Sequence, residues 1–315
     1  MKTLKNISPI PGLFLGILAV STASIFIRYA QAEAPSLAIA AGRLSIATIL
    51  LAPFVIRRSL VELRVIRGRT LFFMILGGIF LGFHFASWIS SLEYTSVASS
   101  VVLVTTAPLW VALLSPLFLK EKVAKWVLIG LVISITGSMI VGISGKCIVT
   151  GVALRCVPFD SLFQGRAFFG NLLALLGAFL SGGYLMIGRR VRNELTLLPY
   201  TFIVYGIAAV VLIVLVFISD QSLIGYTTNT YIWILLLAII PQLIGHSSFN
   251  YALKYLSAAY VSIALLGEPV GTILLAYLFL RESPTAFELF GGFLILLGIT
   301  FATKTGKKMA IVSSK

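Results

Sequence analysis

Apolar residues in this chain come in long runs separated by short polar connectors. A membrane-crossing helix needs about 20 consecutive, mostly apolar residues. Ten runs approach or reach that length: residues 9–29, 36–56, 71–91, 96–119, 124–143, 168–188, 197–219, 230–251, 258–280 and 286–303. The pattern predicts an all-α polytopic membrane protein with ten transmembrane helices. Only a few residues separate the third run from the fourth and the eighth from the ninth, so each pair is expected to form a tight antiparallel hairpin. The first run follows Lys2 and Lys5, and Ala30-Gln31-Ala32 resembles the small-residue site of a cleaved signal. Its length, and Arg28 just ahead of that site, favour a retained membrane helix.

Composition sharpens the picture. Of 315 residues, 59% are hydrophobic and 11% charged, well below the roughly 25% charge of soluble domains. The net charge of +14 raises the question of nucleic acid. No connector is long enough to hold a basic domain, and no nucleic-acid partner is expected. With the N-terminus inside, 18 Lys and Arg fall on the inner side and five on the outer, with Arg43 left inside a helix. The excess therefore reads as orientation by the positive-inside rule, with an added attraction to anionic lipid. It predicts cytoplasmic termini in a plasma membrane or bacterial inner membrane. Cys147 and Cys156 lie in the longest connector, on the outer side, where they are either a disulfide or two unpaired thiols.

The chain also repeats itself. Ser87–Gly137 matches Ser248–Gly298 without a gap at a constant interval of 161, pairing Tyr94 with Tyr255, Pro108 with Pro269, Glu121 with Glu282, Gly130 with Gly291 and Gly137 with Gly298. The matched stretch covers the third to fifth helices of each half. Five helices per half is an odd number, so the second copy must enter the membrane from the opposite face. This predicts two inverted-topology five-helix repeats, an arrangement that suits alternating access. The halves are residues 1–145 and 168–303, joined by an external loop over 146–167 and followed by a basic cytoplasmic tail over 304–315.

Leu92-Glu93-Tyr94-Thr95-Ser96, Ala107-Pro108, Leu119-Lys120-Glu121, Gly267-Glu268-Pro269 and Leu280-Arg281-Glu282 carry a resemblance to the ten-helix EamA-type members of the drug/metabolite transporter superfamily. The resemblance spans essentially the whole chain. It implies a ten-helix transporter with a central cavity between the halves, exporting amino acids, metabolites or related small solutes.

Polar groups in hydrocarbon are expensive and usually face a cavity. Glu268, before Pro269, is either a proton-coupling or cation-binding group, or a carboxyl bonded to backbone freed by the proline. Arg43 either binds a substrate carboxylate, pairs with Glu268, or snorkels outward. His84, Ser87, Trp88 and Ser91 share one helix face, and Gln242, His246 and Asn250 share another. These faces are expected to line one cavity, with interhelical hydrogen bonding as the alternative. Thr105, Thr106 and Trp110 flank Pro108, and Tyr184 and Asn171 are weaker cavity candidates. Pro108 and Pro269 are expected kinks or hinges. Glu121 and Glu282 are expected to cap loops or pair with Lys120 and Arg281.

No phosphate-binding G-x-x-x-x-G-K-[ST] loop, H-E-x-x-H or G-x-S-x-G occurs. Two histidines on separate helices make a poor metal site. Neither a metal nor another cofactor is expected, and no enzyme activity. The expected function is a secondary transporter that exports small amino acids or related metabolites by alternating access, with protons as a further partner if Glu268 couples. A cationic-drug exporter is the alternative, ahead of a channel or scramblase.

Overall fold

The computed structural model describes residues 9–95, 97–143, 147–150, 153–156, 165–275, 277–278 and 284–312. Each of the ten apolar runs corresponds to a helix. These are α1 (Pro9–Ala30), α2 (Ser36–Arg58), α3 (Gly68–Tyr94), α4 (Ser100–Phe118), α5 (Lys125–Ile143), α6 (Gly165–Arg192), α7 (Leu197–Ile218), α8 (Thr228–Ala252), α9 (Ala258–Leu275) and α10 (Ala286–Val312). Among the described residues, eight are long and apolar enough to cross a membrane. In α5 and α10 the apolar stretches are shorter, Lys125–Val141 and Leu289–Ala302. A short helix, Leu60–Val65, sits in the connector before α3.

Between α5 and α6 the chain forms a two-stranded antiparallel ribbon, β1 (Cys147–Thr150) with β2 (Ala153–Cys156), whose register places Cys147 opposite Cys156. The expected disulfide concerns side chains outside the described residues, as does the expected Arg281–Glu282 pairing.

Glycine contacts show the direction in which several helices cross. Helices α3 and α6 run antiparallel, with Gly170 against Tyr94 and Gly183 against Phe80. Helices α1 and α8 do the same, with Gly16 against Phe249 and Gly245 against Val20. Exchanging the two sequence copies turns one contact into the other. At the α5–α10 crossing, a Cβ on Gly137 would lie 2.5 Å from the Gly291 carbonyl oxygen, and one on Gly130 would lie 2.4 Å from that of Gly298. The sequence repeat pairs Gly130 with Gly291 and Gly137 with Gly298, so the four glycines meet crosswise. A two-fold relation between matched helices produces such a contact, and only residues without a Cβ let the backbones approach so closely.

Acidic side chains tie the helix ends together. The first N–H groups of a helix have no intrahelical partner and favour negative charge. The Glu33 carboxylate accepts from the Thr227 N–H at 3.0 Å and from the Thr227 and Thr230 hydroxyls at 2.8 and 2.7 Å, at the start of α8. Glu62 accepts from the Thr196 N–H at 2.7 Å beside the start of α7, and Glu93 accepts from the Ser36 N–H at 3.0 Å at the start of α2. Glu194 accepts from the Thr70 hydroxyl at 2.9 Å, in the first turn of α3. Glu33 and Glu194 stand 161 residues apart, the interval of the repeat.

The expected pairing of Glu121 with Lys120 does not form. Lys120 takes a left-handed backbone conformation with φ of 57°. Glu121 instead binds Arg189 at 2.8 Å. Arg189 also donates to the Leu253 and Lys254 carbonyls at 2.9 and 3.1 Å, joining the ends of α6 and α8.

Two predictions follow from these contacts. Gly137→Leu should lower the folded protein's stability by about 1–3 kcal/mol, the usual cost of overpacking. An unchanged denaturant midpoint in micelles would show that α5 and α10 tolerate separation. The second concerns Glu33. The Thr227 N–H, then the Thr230 and Thr227 hydroxyls, hold its carboxyl below the ordinary value of 4.5. A carboxyl depressed in the folded state stabilises the structure above its unfolded value, and that contribution is lost as pH falls through the folded value. Exchange protection at the start of α8 should therefore hold above about pH 4.5 and decline below it. In Glu33→Gln the decline should vanish; its persistence would assign the effect to another group.

Candidate functional site: a polar cavity where four helices break

Four helices depart from regular α geometry where they meet. Helix α9 tightens into a 3-10 turn over Leu265–Gly267. Pro269 has no N–H for the Leu265 carbonyl, and the Glu268 N–H takes that carbonyl instead. Helix α4 breaks at the matched position, Thr105–Thr106, just before Pro108. There the Thr105 and Thr106 hydroxyls donate to the Val102 and Leu103 carbonyls at 2.9 and 2.6 Å. Helix α8 widens into π turns over Ala238–His246, around Pro241. Helix α1 breaks at Ser21–Thr22 without a proline. Its Ser21 Oγ lies 2.8 Å from the Ile17 carbonyl oxygen and 3.0 Å from that of Glu268.

A cavity sits among these breaks. It is open to the centres of water molecules over about 50 Å³, room for a few waters. Val20 and Ala23 of α1 flank it, as do Val104, Ala107 and Pro108 of α4 and Leu265 and Leu266 of α9. Its polar wall is Arg43, His84, Trp88, Thr105, Ser181, His246, Ser262 and Glu268.

The cavity thus gathers Arg43, His84, Trp88, Thr105, Pro108, His246 and Glu268 of the residues singled out in the sequence. His84 donates from Nδ1 to the Gly177 carbonyl at 2.8 Å, which leaves its Nε2 as an acceptor. Its ring stacks on Trp88 with centroids 6.0 Å apart. The Trp88 Nε1 and His246 Nδ1 atoms are buried without a partner in the protein.

Other candidates surround the cavity without lining it. Ser91 donates to the Trp88 carbonyl at 2.6 Å and meets the Ser100 hydroxyl at 2.6 Å. Ser87 and Thr106 are buried nearby. Trp110 packs edge-on against Phe179. Asn250 donates to the Tyr184 hydroxyl at 2.5 Å and the Tyr205 hydroxyl at 3.3 Å. Asn171 accepts from the Thr95 hydroxyl at 2.9 Å, away from the cavity. Gln242 accepts from Arg43 Nε at 2.9 Å.

Three participants carried no recognisable signal. Phe85 stacks under the Arg43 guanidinium, whose central carbon lies 4.2 Å from the ring centroid. As one of 22 phenylalanines it does not stand out. Tyr205, whose hydroxyl accepts from Asn250, shares its apolar run with Tyr200 and Thr201 and does not stand out from them. Arg192, in a basic cluster at the end of α6, reads as a surface charge. It is in fact 2% exposed and donates to the Asn250 carbonyl at 2.9 Å and to the Leu195 carbonyl.

A polar cavity among interrupted helices, inside a bundle with many apolar spans, is the arrangement expected of a multi-pass membrane transport protein. The model of the EamA-like transporter family matches residues 8–143 and again 168–304, and the chain belongs to that family. It is similar to "Uncharacterized transporter YdfC" of Bacillus subtilis (strain 168), 26% identical over 73% of this chain and 71% of that protein. An "Uncharacterized transporter" of Clostridium kluyveri is 22% identical over 84% of this chain and 82% of its own. A solved protein described only as "Crystal structure of protein" superposes with a TM-score of 0.76 at 18% identity. It covers 96% of this chain and 98% of that one, a likeness of fold.

The Gln242–Arg43 bond generates a prediction. Hydrogen bonds to charged groups contribute about 1.5–3 kcal/mol. Gln242→Leu should destabilise the protein by about that amount, and Gln242→Glu by less. Equal denaturant midpoints for Gln242→Leu and the unmodified protein would remove Gln242 from the role of anchoring Arg43.

Proposed function

We propose that the protein is a secondary transporter that exports small amino acids or related metabolites by alternating access. The observation that carries this reading is the cavity itself. It holds one basic and one acidic side chain, Arg43 and Glu268, at the junction of four broken helices. Rocking of the two halves would expose that junction to each face in turn. The crosswise glycine contact and the matched breaks before Pro108 and Pro269 support a two-fold relation between inverted halves. The charge asymmetry along the sequence supports cytoplasmic termini in a plasma membrane or bacterial inner membrane. Protons and lipid are the proposed partners besides the solute. An arginine in the cavity wall disfavours a purely cationic drug as substrate.

The test is flux of labelled small amino acids into liposomes holding the purified protein. Saturable, solute-specific flux is expected; unsaturated flow would indicate a channel. Glu268→Gln should abolish the dependence of flux on an imposed proton gradient. An unchanged response to the gradient in that variant would overturn coupling through Glu268.

A further inference from the structure

Arg43 is the most unusual residue in the molecule. Its side chain is completely buried and it lines the cavity. A guanidinium stays charged at any ordinary pH and carries five N–H donors in a rigid plane. Only part of that capacity is used inside the protein. Nε donates to the Gln242 side chain at 2.9 Å, and the plane rests 4.2 Å from the Phe85 ring centroid. Both terminal nitrogens, Nη1 and Nη2, are buried and have no partner in the protein. Glu268 shares the cavity, yet among the described residues the only ion pair within 4.0 Å is Arg189–Glu121. The two cavity charges do not close on each other.

A buried cation without a counter-charge is strongly disfavoured unless something else supplies one. Here the orientation of the plane is fixed from two sides, by Gln242 at Nε and Phe85 beneath, while the paired Nη edge is left over. That edge matches the two oxygens of a carboxylate. Trp88 lines the same space, and its Nε1 donor is also buried and unpartnered. The wall is thus donor-rich around Arg43, and Glu268 supplies an acceptor of opposite charge.

We propose that Arg43 is the anchor for a carboxylate on the transported solute, bound side-on by Nη1 and Nη2, with Glu268 receiving the solute's ammonium group. The site selects small zwitterions, and Arg43 is its specificity-determining residue. This assignment rests on the transport reading of the same cavity. It adds which end of the solute goes where, and it requires that carboxylates bind whether or not they are moved.

The experiment titrates the purified full-length protein in micelles with acetate, L-alanine and L-alaninamide, reading thermal stabilisation and heats of binding. Acetate and L-alanine should bind saturably, and L-alaninamide should bind at least about tenfold more weakly. Arg43→Gln should lose about 30-fold or more in carboxylate affinity, and Arg43→Lys an intermediate amount, since a point charge cannot replace the fork. Glu268→Gln should keep acetate binding and lose the preference for L-alanine over acetate. The double variant Arg43→Gln/Glu268→Gln should be as blind to carboxylates as Arg43→Gln alone. Recovery of carboxylate binding in the double variant would make Arg43 only a counter-charge for Glu268 and overturn the proposal. Equal binding of amide and acid, or no binding of either carboxylate, overturns it equally, and these readings need no variant to fold. Saturable carboxylate binding without flux in liposomes would leave the anchor standing and overturn the transport reading instead.

Discussion

Backbone N–H and C=O groups removed from water must find partners inside the protein, and the rest of this structure depends on that constraint. It makes the spans helical, and it allows a helix to be interrupted only where other groups take over. Here the two breaks before Pro108 and Pro269 have their substitutes. The Thr105 and Thr106 hydroxyls and the Glu268 N–H satisfy carbonyls that regular helix would have served. Because the breaks in α1, α4, α8 and α9 converge, the polar backbone and the polar side chains are concentrated in one place. The cavity follows from that convergence.

The same economy governs charge. With ten acidic residues in 315, few carboxylates are available, and four of them bond at or beside helix N-termini in other parts of the chain. Glu121 holds Arg189 at a helix end. Arg192 is spent on carbonyls at the α6–α7 connection. Once these structural uses are removed, Glu268 and Arg43 remain as charges on the cavity wall. Their position, rather than their mere presence in a span, is what gives them a case for handling a solute.

Some of the site was visible in residue type and spacing. His84, Trp88, His246 and Glu268 lie on helix faces whose polarity is anomalous for hydrocarbon, and Pro108 and Pro269 mark the matched breaks. Other members could not be read. A proline-free break at Ser21–Thr22 looks like any apolar helix containing two small polar residues. Phe85 acquires a role only because Arg43, from another helix, lies over it. The reverse also occurred: Ser91, Tyr184 and Asn250 share the polar character of the cavity candidates, yet Ser91 bonds Ser100 and the Trp88 carbonyl, and Asn250 bonds Tyr184, around the cavity and not in its wall.

Taken alone, the sequence determined the helical runs, their approximate limits, the doubled register at 161 residues and the uneven spread of basic residues among the connectors. These are local or periodic properties, set by the thickness of hydrocarbon and the cost of burying charge. Tertiary structure alone decided which polar residues face a common space and which partners the acids take. It also decided that the two terminal nitrogens of Arg43 are left without a partner in the protein. Those outcomes depend on distances between helices far apart in the chain, and no spacing along the chain encodes them.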